Sequence, residues 1–279
     1  IDEPLLQDAM KRLRSLIGLE NIKKEVEEIT KIVKYYQEIG KDVRTSFSLH
    51  SVFLGNPGTG KTTVARLLIQ IYKALGILER GNLVECDRKS LVAAFVGQTA
   101  IKTNQIIDQA IGGGLFIDEA YSLSGHGPND FGQEAIETLL KRMEDQRGQF
   151  VVIVAGYMEE MKQFLESNPS LMSRFDRQFV FEDYSLEQLF EIALSMFAET
   201  ELTLSSEARE LLHGYISKLV EQKHKYFGNA RTIRKFVSEV IRRQNLRMAE
   251  MAPDKRTAEI INHVIASDIQ DFSILEDGV

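Results

Sequence analysis

The chain has 279 residues, 43% of them hydrophobic and 27% charged, which is enough apolar material for a packed core and length for about two domains. Its formal net charge of -7, with both signs interleaved, leaves no chain-wide electrostatic footprint for nucleic acid or an anionic membrane. The single cysteine, Cys86, excludes an internal disulfide and a cysteine-built metal centre, and a reducing, cytoplasmic setting is expected.

The longest apolar stretch, around Phe150 to Gly156, falls far short of the ~18 residues of a membrane span, and the first residues lack a signal-peptide pattern. No membrane partner is expected. The chain starts at Ile1 without a methionine, which allows it to be a segment of something longer.

In chain order, Asn21 to Ile39 carries Ile22, Val26, Ile29, Val33 and Tyr36 at spacings of three and four, with Lys and Glu between them, the pattern of an amphipathic helix. Three β-type runs follow: Ser51 to Leu54, Leu115 to Ile117 and Phe150 to Ala155. Helical patterns over Thr62 to Leu75, Thr99 to Ile111 and Gly132 to Gln146 alternate with them. Such alternation predicts a parallel sheet with helices on both faces and ligands at the carboxyl ends of its strands. Gly112-Gly113-Gly114 stops a helix just before the strand LFIDE, where a sharp turn without a Cβ is needed.

From Ser185 onward, helical patterns run over Leu186 to Thr200, Ser205 to Gln222 and Ala230 to Met251, with no alternating strand. A boundary is therefore set near Asp183. It separates an α/β nucleotide-binding domain over 1–182, with its N-terminal helical segment, from a smaller all-helical domain over 183–279.

Gly55-Asn56-Pro57-Gly58-Thr59-Gly60-Lys61-Thr62 fits G-x-x-x-x-G-K-[ST], directly after one strand and opening a helix, as a phosphate loop must. Its glycines let backbone N–H groups turn in around phosphates, and the helix N-terminus adds its positive dipole end. Lys61 would reach the β- and γ-phosphates, the Thr62 hydroxyl would ligate Mg²⁺, and Thr63 continues the binding segment. Gly114-Leu115-Phe116-Ile117-Asp118-Glu119 is a buried-type strand ending in adjacent carboxylates. ATP hydrolysis needs both: Asp118 for the metal shell and Glu119 to orient and polarise the attacking water.

These two motifs together resemble the AAA+ ATPases, whose fold is a P-loop core with a parallel sheet flanked by helices, plus a smaller all-helical C-terminal lid. Other segments fall in the family's order. Ile17-Gly18-Leu19 looks like the segment lying near the adenine. NPSLMSRFDR resembles the arginine-finger region, which implies that Arg174, and second Arg177, reaches the nucleotide of a neighbouring subunit. Gly228-Asn229-Ala230-Arg231 looks like the sensor-2 motif, which implies that Arg231 contacts the γ-phosphate. One departure stands out: many members carry Asn or Thr after the fourth core strand, and this chain has Gly156 and Tyr157 there, which leaves water positioning on that side open.

FIDEAY, GQEAIETLL, VIVAGY and SNPSLMSRF resemble the CbbX/CfxQ and SpoVK group in closer detail, over most of residues 14 to 250. The CbbX members are red-type Rubisco activases, and others are tied to sporulation or secretion. The run Leu91-Val92-Ala93-Ala94-Phe95-Val96-Gly97-Gln98-Thr99 fits a buried segment or an exposed tip by periodicity alone. The resemblance places it at the loop that projects into a central pore, where Phe95 and Val96 would grip an extended chain and Gly97 would act as hinge.

Asp130-Phe131-Gly132 spells a kinase metal motif, but no H-R-D loop precedes it. The five histidines show no H-E-x-x-H spacing and point to no metal site. The resemblance implies an ATP- and Mg²⁺-dependent motor that assembles into a homo-oligomeric ring, expected to be a hexamer, and threads a protein client. The alternative is a nucleotide-dependent scaffold that recruits a partner without threading it. A DNA-loading or helicase role is disfavoured by the acidic balance.

Overall fold

A strand inside a parallel sheet is covered on both faces, so it must be apolar on both. Three segments meet that demand: Ser51–Gly55 (β1), Gly114–Asp118 (β3) and Val151–Gly156 (β4). The computed structural model describes residues 1–46, 48–125, 127 and 130–272. Among them these segments form the middle of a five-stranded, all-parallel sheet ordered β2-β3-β4-β1-β5. The edge strands, Leu83–Cys86 (β2) and Arg177–Phe181 (β5), are additions to the three that the hydrophobic pattern announces.

The helices of this α/β unit are α1 (Glu3–Ser15), α2 (Glu20–Glu38), a short α3 (Val43–Ser46), α4 (Lys61–Ala74), a short α5 (Arg88–Leu91), α6 (Thr99–Ala110), α7 (Gly132–Asp145), α8 (Met158–Glu166) and a short α9 (Pro169–Met172). One sheet face buries Val52, Leu54, Leu115, Ile117, Val152 and Val154 under Ile107, Ile136, Leu139 and Met161. The other is aromatic: the Phe53 ring lies 5.3 Å from Phe179 and 5.0 Å from Phe181, with Phe116 edge-on at 6.4 Å. Each such ring contributes about 1.5–3 kcal/mol by leaving water. Gly114 has no side chain on this face, and Ile69 of α4 fills the place a Cβ would take. The unit comprises residues 1–55 and 60–181, and the short segment Asn56–Thr59 groups with the second unit.

The second unit, from Glu182 onward together with Asn56–Thr59, holds α10 (Leu186–Glu199), β6 (Thr203–Leu204), α11 (Ser206–Gln222), α12 (Ala230–Glu250), α13 (Ala258–Ile261), β7 (His263–Val264) and α14 (Ala266–Ile269). The region is helical as expected, with one addition: β6 and β7 form a two-stranded parallel pair. Strands of two residues are too short to show alternation, which is why the pattern missed them. Ser185 and Gln188 form a capping box at the start of α10. Arg247 of α12 makes a bidentate pair with the buried Asp268 of α14 at 3.0 and 2.9 Å. The Tyr215 and Phe236 rings stack at 4.0 Å. Among the described residues no helix is long and apolar enough to cross a membrane.

Candidate functional site

β1 delivers the chain to the carboxyl edge of the sheet at Gly55, and α4 leaves from Lys61. The turn requires Gly60 at φ 93, a left-handed conformation that a Cβ would strain. α4 starts without a side-chain cap, the arrangement in which the first N–H groups of a helix can turn to a phosphate. Lys61 Nζ donates to the Gly55 carbonyl at 2.8 Å, and Thr59 Oγ1 donates to the Asn56 carbonyl at 2.8 Å. Thr62 is half-buried and Thr63 exposed at the start of the helix.

Asp118 ends β3 with an exposed side chain, and Glu119 follows, also exposed. Glu119 adopts φ 49, ψ 49, a left-handed conformation that costs a non-glycine residue roughly 1 kcal/mol or more. It turns the chain off the strand end, and its backbone N–H donates to Asp118 Oδ1 at 3.0 Å. Asp118 pairs with Ala155 of β4, and the next residue, Gly156, pairs with Leu54 of β1. The carboxylates and the phosphate loop therefore share one sheet edge, two strand spacings or about 10 Å apart.

β4, between them, ends at Gly156. A Cβ there would stand 2.7 Å from the Tyr121 ring, so a side chain at this position would have to displace that ring. Two tyrosines occupy the space instead: Tyr121, in the 3-10 turn Ala120–Leu123, stacks on Tyr157 with ring centroids 6.3 Å apart. Burial raises the Tyr121 phenol above its ordinary range, and the charge of Glu119 raises it further. Tyr121 therefore stays protonated beside the carboxylates. Both tyrosines close the segments FIDEAY and VIVAGY, but only folding shows them stacked.

Ile17 and Gly18 lie half-buried between α1 and α2. Asn21, at the start of α2, donates to the Val180 carbonyl at 2.9 Å, next to Phe181, which pairs with Gly55. This segment thus belongs to the same sheet edge. Arg231 is exposed at the start of α12.

The two remaining arginines lie elsewhere. Arg177 pairs with Ser51 at the opposite end of β1, about 13 Å of strand from Gly55, and its charge reaches Glu25 and the buried Tyr72. Arg174 follows α9. Its carbonyl accepts from Ser48 Oγ at 2.8 Å, while Asp176 accepts from the Ser48 N–H at 3.0 Å. The guanidinium of Arg174 pairs with Glu144. Within one chain, neither arginine joins Lys61, Asp118 and Glu119.

Beside Arg174 is a cavity of about 440 Å³ lined by Arg44, His50, Arg147 and Arg174 among others. His50 Nδ1 accepts from the Val152 N–H at 2.9 Å. Burial, reinforced by the charge of Arg174, holds its imidazole down to about 4.

Phe95 and Val96 are 75% and 83% exposed, so the apolar run ends in a tip rather than in core. Gly97 follows at φ 77 in open space. The base of the loop is pinned: Thr99 Oγ1 accepts from the Ala93 N–H at 3.1 Å, and Thr103 Oγ1 donates to the Leu91 carbonyl at 2.8 Å.

Family comparison agrees with this geometry. The ATPase family associated with various cellular activities (AAA) matches residues 51–183, and the AAA lid domain matches residues 185–276. The chain is 42% identical over 252 residues to "Stage V sporulation protein K" of Bacillus subtilis (strain 168), covering 88% of this chain and 77% of the relative. It is 44% identical over 238 residues to "Protein CfxQ" of Xanthobacter flavus, covering 84% and 74%. It is 39% identical over 264 residues to "Ribulose bisphosphate carboxylase/oxygenase activase, chloroplastic" of Cyanidioschyzon merolae, covering 93% and 85%. The crystal structure of the FIGL-1 AAA domain shares the fold, with a TM-score of 0.62 at 18% identity over 92% of this chain and 80% of that one.

Proposed function

The chain belongs to the AAA+ ATPases and hydrolyses ATP, and on that premise we propose that it acts as a ring-forming motor, a hexamer, that pulls a protein client through its centre. The observation that carries this reading is a separation. Lys61 and Glu119 share the carboxyl edge of the sheet, while Arg174, bonded to Ser48 just ahead of β1, stands at the opposite edge of the same sheet. A complete site then needs two subunits. An arginine supplied in trans stabilises charge on the transferred phosphoryl and is worth about 10³ to 10⁵ in rate in comparable enzymes.

Within the site, Lys61 and the loop N–H groups from Gly55 to Thr63 hold the phosphates, and Ile17 and Gly18 line the adenine side. Arg231 adds a second cation toward the terminal phosphate. Glu119 orients and polarises the attacking water, with the Tyr121–Tyr157 pair on its flank. Asp118 and the Thr62 hydroxyl offer hard oxygen donors for Mg²⁺. Among the described residues no cluster of three or more acidic or histidine side chains could hold a metal alone, which suits an ion coordinated mainly by phosphates and water. The ion would supply neutralisation of phosphate charge.

Phe95 and Val96 are the gripping tip, because an exposed aromatic on a loop pinned at its base can press on a passing chain without belonging to the core. Relatives bear names for sporulation and for activation of ribulose bisphosphate carboxylase/oxygenase, so the shared residues describe the engine and the client is a protein particular to each system. The test is ATPase rate against protein concentration. A site shared between subunits gives a specific activity that rises through the assembly range. A specific activity independent of concentration, in a protein that stays monomeric, overturns the shared site.

A further inference from the structure

Asn229 is fully buried and sits at φ 48, ψ -125, a conformation that glycine adopts readily and other residues at a cost of about 1–3 kcal/mol. Its side chain is held on every side. Oδ1 accepts from the Tyr184 N–H at 2.9 Å, and Nδ2 donates to Asp183 Oδ1 at 2.8 Å, to the Phe227 carbonyl at 3.0 Å and to the Pro57 carbonyl at 3.4 Å. Asp183 also accepts from Asn56 Nδ2 at 2.9 Å and Lys223 Nζ at 3.2 Å. Burial pushes the Asp183 carboxyl up, but these donors outweigh it and hold it below its ordinary value.

The same few residues hold the backbone of the segment Asn56–Thr59. The Pro57 carbonyl faces Asn229, the Gly58 carbonyl accepts from the Ala230 N–H at 3.0 Å, and the Thr59 carbonyl accepts from the Tyr184 hydroxyl at 3.1 Å. A Cβ on Gly58, itself at φ 69, would stand 2.1 Å from the Gly228 carbonyl oxygen, so the segment lies flush against the start of α12. In a planar trans peptide a carbonyl and the next N–H point opposite ways. Holding these three carbonyls aims the N–H groups of Gly58, Thr59 and Gly60 to the other side, as a phosphate cradle requires.

We propose that Asp183 and Asn229 are positioning residues that set the phosphate loop through residues 56–59, so that nucleotide affinity depends on a clamp built from the start of the helical unit. A side chain is retained at 229 in a glycine-like conformation because it supplies these hydrogen bonds. The proposal rests on reading Gly55 to Thr62 as the nucleotide's phosphate loop, which loss of ADP binding in Lys61→Ala tests separately.

Asn229→Gly separates positioning from plain stability, since it removes the clamp while relieving the backbone. The measurement is the Kd for Mg·ADP, alongside the melting temperature without nucleotide. Phe236→Leu, in the same unit but outside the clamp, controls for loosened packing. The expected result is a Kd raised on the order of tenfold in Asn229→Gly, with KM for ATP rising more than kcat falls, and a melting temperature no lower than that of Phe236→Leu. Asp183→Asn should raise Kd in the same direction, and it decides the matter if Asn229→Gly does not fold. An unchanged Kd in the folded variants, or an equal rise in Phe236→Leu, overturns the proposal.

Discussion

The guanidinium of Arg174 is paired with the carboxylate of Glu144 in the same chain. Glu144 lies at the end of α7 with its side chain largely exposed, and Arg174 is more than half-covered. Exposed ion pairs are screened by water and salt, so the Arg174–Glu144 pair costs little to break, as the proposed reach to an adjoining subunit's phosphates requires. Glu144→Gln should therefore lower the protein concentration at which ATPase activity is half-maximal, by a few-fold and more strongly at low salt. Titrating enzyme in an ATPase assay at two ionic strengths checks this; an unchanged midpoint would mean that the pair does not restrain Arg174.

Phe95 is exposed and touches no core, so Phe95→Ala should leave stability within about 0.5 kcal/mol, the usual range for such surface sites. Basal ATPase should persist while work on the client is lost. A thermal melt and an ATPase assay, followed by a client-processing assay, separate the outcomes. A variant that still processes client at the normal rate would remove Phe95 from the gripping role.

Gly156 faces the Tyr121 ring, and Gly156→Ala forces a Cβ into a 2.7 Å approach. The ring must move off Tyr157, at a cost of about 1–3 kcal/mol for overpacking, and the wall beside Glu119 moves with it. A lowered kcat with little change in nucleotide Kd is expected, measured by steady-state kinetics and ADP titration. Unchanged kcat would show that the stacked tyrosines do not help place the water.

His50 supplies a pH dependence. Its folded-state value is about 4 against an ordinary 6.5, so between those limits the unfolded chain takes up a proton that the folded chain refuses. Stability from this source is complete above pH 6.5 and falls as the pH drops toward 4. Between pH 6.5 and 5 the loss should be about 2 kcal/mol. Urea unfolding across that interval measures it, and His50→Gln, which keeps an acceptor for the Val152 N–H, should flatten the slope.

What could be read before folding follows from how local each signal is. β1, β3 and β4 are buried on both faces and announce themselves as apolar runs. β2 reads Leu-Val-Glu-Cys over four residues at the sheet edge, and β5 opens with Arg and Gln, so neither carries a run long enough to notice. The phosphate loop and the Asp118-Glu119 strand end are contiguous motifs whose chemistry is spelled in order. Arg174 is singled out only through family resemblance, because no local pattern marks it. The proposed clamp is not legible in the chain: Asp183 and Asn229 stand 46 positions apart, Asp183 reads as an ordinary polar residue near a helix start, and Asn229 enters only as part of the motif that ends in Arg231. Gly156 looked like a missing polar group until the fold placed the Tyr121 ring against it.

The central claim is that each ATP site is completed by Arg174 of another subunit, and mixing two inactive variants tests it most directly. Arg174→Ala keeps its own Lys61, Asp118 and Glu119 but offers no finger; Glu119→Gln cannot activate water but still carries Arg174. Each alone should lose about 10² to 10⁴ of the rate or more. Mixed and allowed to assemble, they should regain a substantial fraction of wild-type ATPase activity, because sites on Arg174→Ala subunits receive the arginine of Glu119→Gln neighbours. A mixture that assembles and stays as inactive as its parents would contradict the account.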